Sequence, residues 1–213
     1  MAPAAWTLDQ TRILTLNQVK RVLEDLERRS RRYRSTLTNL AVFRLATCCG
    51  LRVSEISQLE LRDLKLTSER PHIHVRKGVG KGGKARKVPL WWDAGTLAFL
   101  QQFMARRIQE EASGSSLLIC STSVQSFGNP LDRMNLSRRF KQAIKVLGAD
   151  CYSSIHDGRH SFASIALAAG RTLPEVRDAL GHRNISTTSS LSSQPARVMA
   201  SSTPLTVYKS QRI

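Results

Sequence analysis

Four short segments of the chain hold cationic or imidazole side chains that their local secondary structure does not require. The segments contain Arg52 in GLRVSE, Lys81 in GVGKGGK, His156 and Arg159 in HDGRH, and His182 in LGHRN. Guanidinium, ammonium and imidazole groups donate charge-assisted hydrogen bonds, which is the chemistry that stabilises negative charge on a phosphate. The residue types therefore predict a site that binds a phosphate group.

Each segment taken alone also has an ordinary structural explanation. An arginine at the start of a helix, as we expect for Arg52, is commonly a surface charge. Lys81 stands among glycines, and both residue types are frequent in flexible turns. His182 follows a predicted helix and could serve as a C-terminal cap. The pair His156 and Arg159 is more specific, because residues three apart at the start of a helix should point the same way from an end that favours anions.

The charge of the chain favours a polyanionic partner. It has 213 residues with 33 Lys and Arg against 16 Asp and Glu, which gives a formal net charge of +17. Neutralising nucleic acid phosphates releases counterions, so a chain of this charge is suited to bind nucleic acid. A basic ribosome-associated protein and a membrane-surface binder are the alternatives. The basic run from residue 28 to 34 around Tyr33 could be a solvated helix end or a phosphate contact.

Other classes of site have little support in the sequence. The four cysteines form no CxxC pair and have no histidine at zinc-finger spacing, so neither a disulfide framework nor a zinc site is predicted. No cluster of carboxylates suggests a catalytic metal. No stretch resembles a signal peptide or a membrane span, and we expect a cytoplasmic, DNA-associated protein. We expect no cofactor, no membrane partner and no small-molecule substrate.

The elements that must position these residues are mostly helices. Apolar periodicity predicts helices from Thr15 to the basic run, over about 37–49, from Asp93 onward, and over about 134–147, 158–169 and 172–180. Alternating segments at about 64–67, 72–77 and 84–90 predict three antiparallel strands, the last two joined by a glycine-rich hairpin. Residues 117–126 are expected to form a loop. The predicted fold class is α+β, mainly α, with a small three-stranded sheet.

The end of the last helix is marked clearly in the sequence. Thr172 and Glu175 form a predicted capping box, Pro174 lies in the first turn and Gly181 follows the helix. Beyond it the composition changes, and 11 of the 21 residues from 186 to 206 are Ser or Thr. We therefore divide the chain into an irregular lead at 1–13, a folded domain at 14–188 and a poorly ordered tail at 189–213.

The order and spacing of the four segments resemble the catalytic domain of tyrosine recombinases, the family of phage and transposon integrases, over about residues 14 to 188. The resemblance implies site-specific recombination of duplex DNA by transesterification through a 3′-phosphotyrosine, without ATP or a metal. It implies that Arg52 and Arg159 clamp the scissile phosphate and that Lys81 protonates the leaving 5′ oxygen. His156 and His182 would be the two further active-site positions, and Glu55 the acidic residue found near the first arginine.

The expected nucleophile is missing from its place. In the family a tyrosine stands nine residues after the LGH histidine, and here that residue is Leu191, which has no nucleophilic atom. Tyr208 lies 26 residues after His182, and neither Tyr33 nor Tyr152 matches the family position. Two explanations stay open: the tail is the product of a frameshift or truncation, or Tyr208 reaches the site of its own or a neighbouring protomer.

Three functions therefore compete at this point. The first is a recombinase that acts on duplex DNA with other protomers. The second is a non-catalytic duplex-DNA-binding remnant or modulator of an intact recombinase. The third, a basic RNA-binding or ribosome-associated protein, gives no reason for the four spaced segments. Recombinases usually carry a helical module before the catalytic domain, and the short lead cannot replace it, so we expect lowered affinity for DNA.

Overall fold

The computed structural model describes residues 9–78, 85–110 and 112–181. Lys81, His182, Leu191 and Tyr208 lie outside the described residues, as do the glycine-rich hairpin tip and the tail. The helices of the described part are α1 (Leu16–Ser30), α2 (Arg34–Thr47), α3 (Val53–Ile56), α4 (Ala94–Gln109), α5 (Arg133–Ile144), α6 (Ile155–Ala168) and α7 (Leu173–Leu180). The strands are β1 (Leu64–Lys65), β2 (His72–Val75) and β3 (Arg86–Pro89).

The core is organised around α2, which packs against α1, α5 and α6. Every residue of α2 from Leu40 to Thr47 is buried. The helix begins three residues earlier than predicted. It ends two residues before the predicted boundary, and Gly50 follows in the left-handed region at φ 62°. A Cβ on Gly50 would lie 2.6 Å from the ring of Phe162 on α6, so only glycine permits this close approach.

The predicted antiparallel sheet is confirmed, with shorter strands. Its order is β1-β2-β3, and Ile73 is paired with Leu64 on one side and Val88 on the other. The second strand ends at Val75 instead of residue 77, and the side chain of Arg76, which follows it, pairs with the Glu60 and Asp63 carboxylates. The face that carries Ile73, Val75 and Val88 is buried against the core.

Helix boundaries follow their capping residues. Thr15 caps α1, Asp93 caps α4 and Thr172 caps α7, as the sequence predicts. Helix α6 begins three residues before the predicted start, because the Ser154 hydroxyl accepts from the Asp157 backbone N–H in a capping box. The predicted helix at 134–147 is divided into α5 and a 3-10 turn at Lys145–Leu147.

Two further sequence expectations concern the segment 117–126, of which Leu118, Ile119 and Cys120 are buried, and the basic run at 28–34. Residues 117–126 are irregular as expected, with isolated bridges at Leu117 and Cys120 and a 3-10 turn at Val124–Ser126. In the basic run, Arg28 and Arg29 pair with Asp25, and Arg34 pairs with Glu110. Three of the five arginines of this run are therefore paired, and they share two carboxylates. No helix in the described part of the chain is long and apolar enough to cross a membrane.

A buried arginine joins three of the helices. The Arg44 side chain on α2 is 1% exposed, and its Nη1 donates to Thr96 Oγ1 of α4 at 2.8 Å. Its other terminal nitrogen pairs with Glu27 of α1. The guanidinium carbon lies 5.3 Å from the ring centroid of Phe99. Arg44 thus connects α1, α2 and α4 through a charge that solvent does not reach.

Replacing Arg44 by methionine should lower the free energy of unfolding. Met has a similar length but cannot satisfy Glu27 and Thr96, and breaking a buried ion pair costs about 3 kcal/mol, at the lower end of the usual range because Glu27 is partly solvated. Urea denaturation measures the loss. Arg29→Met, which removes a partly exposed pair with Asp25, should cost at most about 1 kcal/mol. Equal losses in the two variants would contradict the role of Arg44.

Candidate phosphate-binding site

Glu55 and Arg52 lie at opposite ends of one short turn of helix. Arg52 is the extended residue before α3, and its backbone N–H donates to Glu55 Oε2 at 2.8 Å. Its side-chain Nη1 donates to Glu55 Oε1 at 3.0 Å. The Glu55 side chain is 1% exposed, whereas that of Arg52 is 30% exposed. Glu55 therefore caps α3 and holds the Arg52 guanidinium, which still reaches the surface.

Arg86 is a site residue that the sequence reasoning missed. It begins β3, and its Nη1 and Nη2 donate to the two Glu55 oxygens at 2.8 Å each. Its Nε donates to the Ala179 carbonyl oxygen of α7 at 2.8 Å. Strand alternation could have pointed to it, because Arg86 shares the inward face of β3 with Val88 and an inward arginine requires an acidic partner.

Arg159 lies at the junction of three helix ends. It is 3% exposed on α6, and Nη1 donates to the Gly50 carbonyl and Nη2 to the Leu180 carbonyl, both at 2.5 Å. Burial, followed by repulsion from Arg52 and Arg86, lowers the pKa of Arg159 to about 9. The group is therefore still charged at neutral pH. The two carbonyl bonds leave other N–H groups of the guanidinium for a ligand.

Together these residues form what we call the guanidinium cluster, consisting of Arg52, Arg86, Arg159 and Glu55. Burial by itself would raise the pKa of Glu55, but hydrogen bonds and charge from Arg86, with help from Arg52 and Arg159, lower it. The carboxylate is thus ionised at neutral pH. The guanidinium groups of Arg52 and Arg86 bond to this one carboxylate, whereas that of Arg159 bonds to two backbone carbonyls. The cluster therefore carries an excess of two positive charges in a largely buried place. An anion would offset that excess.

The imidazoles on α6 form a separate pair. The ring of His156 is exposed and contacts that of His160 edge-on, with centroids 5.3 Å apart. Burial, and then the nearby His156, lowers the pKa of His160, so the neutral form of His160 predominates at neutral pH. His156, which we expected to share a face with Arg159, is at the surface, whereas Arg159 is buried.

The first turn of α6 also differs from the expectation of a vacant anion site. The Asp157 carboxylate accepts from the Ser154 backbone N–H at 2.8 Å and lies 3.5 Å from Nε of Arg12. A carboxylate of the chain itself therefore lies at this helix end. The excess positive charge is found in the guanidinium cluster instead.

The structure describes the immediate neighbours of two predicted site residues but not the residues themselves. Lys81 lies in the segment 79–84, five residues before Arg86. His182 directly follows Gly181, which ends α7 in the left-handed region at φ 66°. A Cβ on Gly181 would lie 2.7 Å from Cδ of Arg86. Arg86 of the guanidinium cluster thus begins the strand that follows Lys81, and its side chain lies against the turn that precedes His182.

Comparison with known protein families agrees with this geometry. The model described as the phage integrase family matches residues 12–191. The chain belongs to this family, that of the tyrosine recombinases. A tyrosine recombinase XerD of Halalkalibacterium halodurans is 30% identical over 178 residues, covering 82% of the chain and 54% of the relative. A XerC of Pelobacter propionicus is 31% identical over 154 residues, covering 71% of the chain and 46% of the relative. The chain spans about half the length of these relatives.

Solved recombinase structures share the fold. The XerA recombinase superposes with a TM-score of 0.69 at 23% identity, covering 86% of the chain and 61% of that protein. The Tn1549 transposon integrase in complex with transposon right end DNA gives a TM-score of 0.63 at 20% identity, covering 88% of the chain and 63% of that protein. The predicted fold class, a helical domain with a small antiparallel sheet, is confirmed.

Replacing Glu55 by glutamine should destabilise the protein in a pH-dependent way. At pH 7 the loss of the charge leaves Arg86 without its ionic partner, at a cost of about 3 kcal/mol. The folded-state pKa of Glu55 is lowered, so its stabilisation is complete above the unfolded value of about 4.3 and is lost as the pH falls through the folded value. Urea unfolding of wild type and Glu55→Gln from pH 7 to pH 3 should show the difference shrinking below about pH 4.

The matched control is Glu24→Gln, at an exposed position on α1. It should change the free energy of unfolding by less than about 0.5 kcal/mol at any pH. A constant loss in Glu55→Gln from pH 7 to pH 3 would show that packing, and not charge, explains the effect.

Proposed function

We propose that this chain is the catalytic domain of a site-specific DNA recombinase and that its guanidinium cluster holds the scissile phosphate. The observation that carries the proposal is that three guanidinium groups lie around one carboxylate, which bonds to only two of them. A phosphodiester that passes through a five-coordinate state builds negative charge on its non-bridging oxygens. Guanidinium groups fixed in advance by protein contacts stabilise that charge without rearranging during the reaction.

Each residue of the site has a proposed role. Arg52 and Arg159 hold the non-bridging oxygens, and Glu55 and Arg86 keep Arg52 in position. Lys81 gives a proton to the leaving 5′ oxygen, while His156 and His182 contact the phosphate or the attacking group. A tyrosine hydroxyl would form the new P–O bond and lose its proton as the bond to the 5′ oxygen breaks. The phosphotyrosine ester would keep the energy of the phosphodiester bond that breaks, so no ATP would be needed.

The proposed partners are duplex DNA and further protomers assembled on it. The high positive charge supports the first of these. Among the structural neighbours, the XerH recombinase is described as bound to its palindromic difH substrate in a post-cleavage complex; it has a TM-score of 0.65 at 22% identity and covers 84% of the chain and 49% of that protein. We also propose the domain division of a lead at 1–13, a catalytic domain at 14–188 and a separate tail at 189–213.

A second function is favoured by a specific residue. Leu191 stands where the family has its nucleophilic tyrosine, so a chain with an intact phosphate site could bind DNA without cutting it. The tail would then be of frameshift or truncation origin, and the protein a DNA-binding remnant or a modulator of an intact recombinase. The active alternative requires Tyr208 to replace the missing nucleophile.

Duplex binding should depend on Arg52 in the way a phosphate contact requires. Arg52→Gln should reduce the slope of log affinity against log salt by about 0.9, which weakens binding about 8-fold at 0.1 M salt. Arg28→Gln is the control, because it removes the same charge from a side chain that is 77% exposed and paired with Asp25. Fluorescence anisotropy with labelled duplex DNA measures both slopes. Equal slopes in the two variants would place the phosphate elsewhere.

Covalent capture on a suicide duplex decides between the two functions. If Tyr208 is the nucleophile, wild type should give a protein–DNA adduct that survives denaturing gel electrophoresis, and Tyr208→Phe should give none. Tyr33→Phe should retain the adduct. The absence of any adduct, with Arg52-dependent binding preserved, would overturn the active form of the proposal and support the non-catalytic one.

A further inference from the structure

The outer face of the small sheet carries a row of basic side chains. Strand pairing sets Lys65 opposite His72 and Lys87 opposite His74. Directly paired residues share a face, and residues two apart on β2 share it too, so the four side chains lie on one side of the sheet. The opposite side carries the buried residues of the core. We call these four residues the basic sheet face.

This face is open to solvent and its charge is not compensated. Lys65 and Lys87 are exposed, while His72 and His74 are half-buried. The arginines of the neighbouring strand ends behave differently, because Arg76 pairs with Glu60 and Asp63, and Arg86 pairs with Glu55. Among the residues that the structure describes, none of the four side chains of the basic sheet face takes part in an ion pair.

The basic sheet face and the guanidinium cluster lie on opposite sides of the sheet. Lys87 directly follows Arg86 on β3, and its side chain leaves the strand on the side away from the cluster. Along the strands, the pair of Lys87 and His74 is the one nearest to Arg86. His72 lies two residues further along β2, about 7 Å away, and Lys65 is paired with it. Because each strand of duplex DNA has a phosphate every 3.4 Å or so along its axis, a row of this length spans about two phosphate steps.

We propose that the basic sheet face is a second contact surface for the sugar-phosphate backbone of duplex DNA, on the flank of the scissile site. The two lysines provide point charges for phosphates, and the imidazole of His74 can add an N–H donor. The Nδ1 of His72 already donates to the Arg70 carbonyl oxygen at 2.8 Å, so its neutral ring has no further N–H for a phosphate. The contact is independent of base sequence, since no group on the face is arranged for paired donors and acceptors on base edges. The inference depends on the proposed function, because it assumes that duplex DNA occupies the guanidinium cluster.

The test is the salt dependence of duplex binding by the full chain. Lys65→Gln with Lys87→Gln should reduce the slope of log affinity against log salt by about 1.8, which weakens binding about 60-fold at 0.1 M salt. Lys65→Arg with Lys87→Arg keeps both charges and should retain the wild-type slope. Both substitutions are at exposed positions, so thermal unfolding should be nearly unchanged in each variant.

The matched control removes two exposed lysines from another part of the protein. Lys20 on α1 and Lys145 in the turn after α5 belong to elements that pack against each other. Lys20→Gln with Lys145→Gln lowers the net charge by the same amount and should change the slope by less than half as much as the sheet variant.

Two outcomes separate this inference from the proposed function. If wild type binds duplex DNA with an Arg52-dependent slope, and the sheet variant has the same slope as wild type, the basic sheet face does not contact DNA and its lysines serve only to protect a sheet edge from pairing. If wild type shows no salt-dependent duplex binding, the proposed function itself fails. Equal slope losses in the sheet variant and the control would reveal an effect of net charge alone, which also overturns the inference.

Discussion

The buried carboxylate of Glu55 is the constraint on which the site depends. A carboxylate removed from solvent to this degree would be protonated unless cations held it, and Arg86 supplies two hydrogen bonds and a charge. Glu55 in turn holds the Arg52 guanidinium and caps the N-terminal end of α3, the turn that follows Arg52. Glu55 carries one negative charge, and the cluster contains three positively charged guanidinium groups. The carboxylate that stabilises the cluster therefore leaves part of its positive charge uncompensated. The stability of the domain and its affinity for an anion are therefore set by the same residues.

Close packing of backbone explains how distant segments reach this carboxylate. Gly50 and Gly181 both adopt left-handed conformations, and their lack of a Cβ lets α2, α6, α7 and β3 approach each other. The carbonyls of Gly50 and Leu180 then lie where Arg159 can bond to both. Arg159 is held in place because it donates to two carbonyls at helix ends, and it needs no carboxylate partner of its own. Its charge is thus kept for a ligand instead of being neutralised.

The sequence predicts the parts of the fold whose signals are local, and it fails where the interaction is long-range. The caps Thr15, Asp93 and Thr172 lie within three residues of their partners, and all three helix starts are confirmed. Arg86 was missed because its partner is 31 residues away and only folding brings them together. The α6 start was placed late because the capping residue Ser154 pairs with Asp157 instead of the more familiar glutamate. The ion pairs of Arg76 likewise join it to residues 13 and 16 positions away in sequence, which alternation cannot reveal.

The division between activating a phosphate and attacking it follows from where the two kinds of residue lie. All the described contacts of the guanidinium cluster are made by residues of α3, β3, α6 and the ends of α2 and α7, which are held by the core. The position expected for the nucleophile comes after α7 in sequence. Under the proposed function, a domain that lacked its nucleophile would still have the excess positive charge of the cluster, because preorganised charge does not require the attacking group.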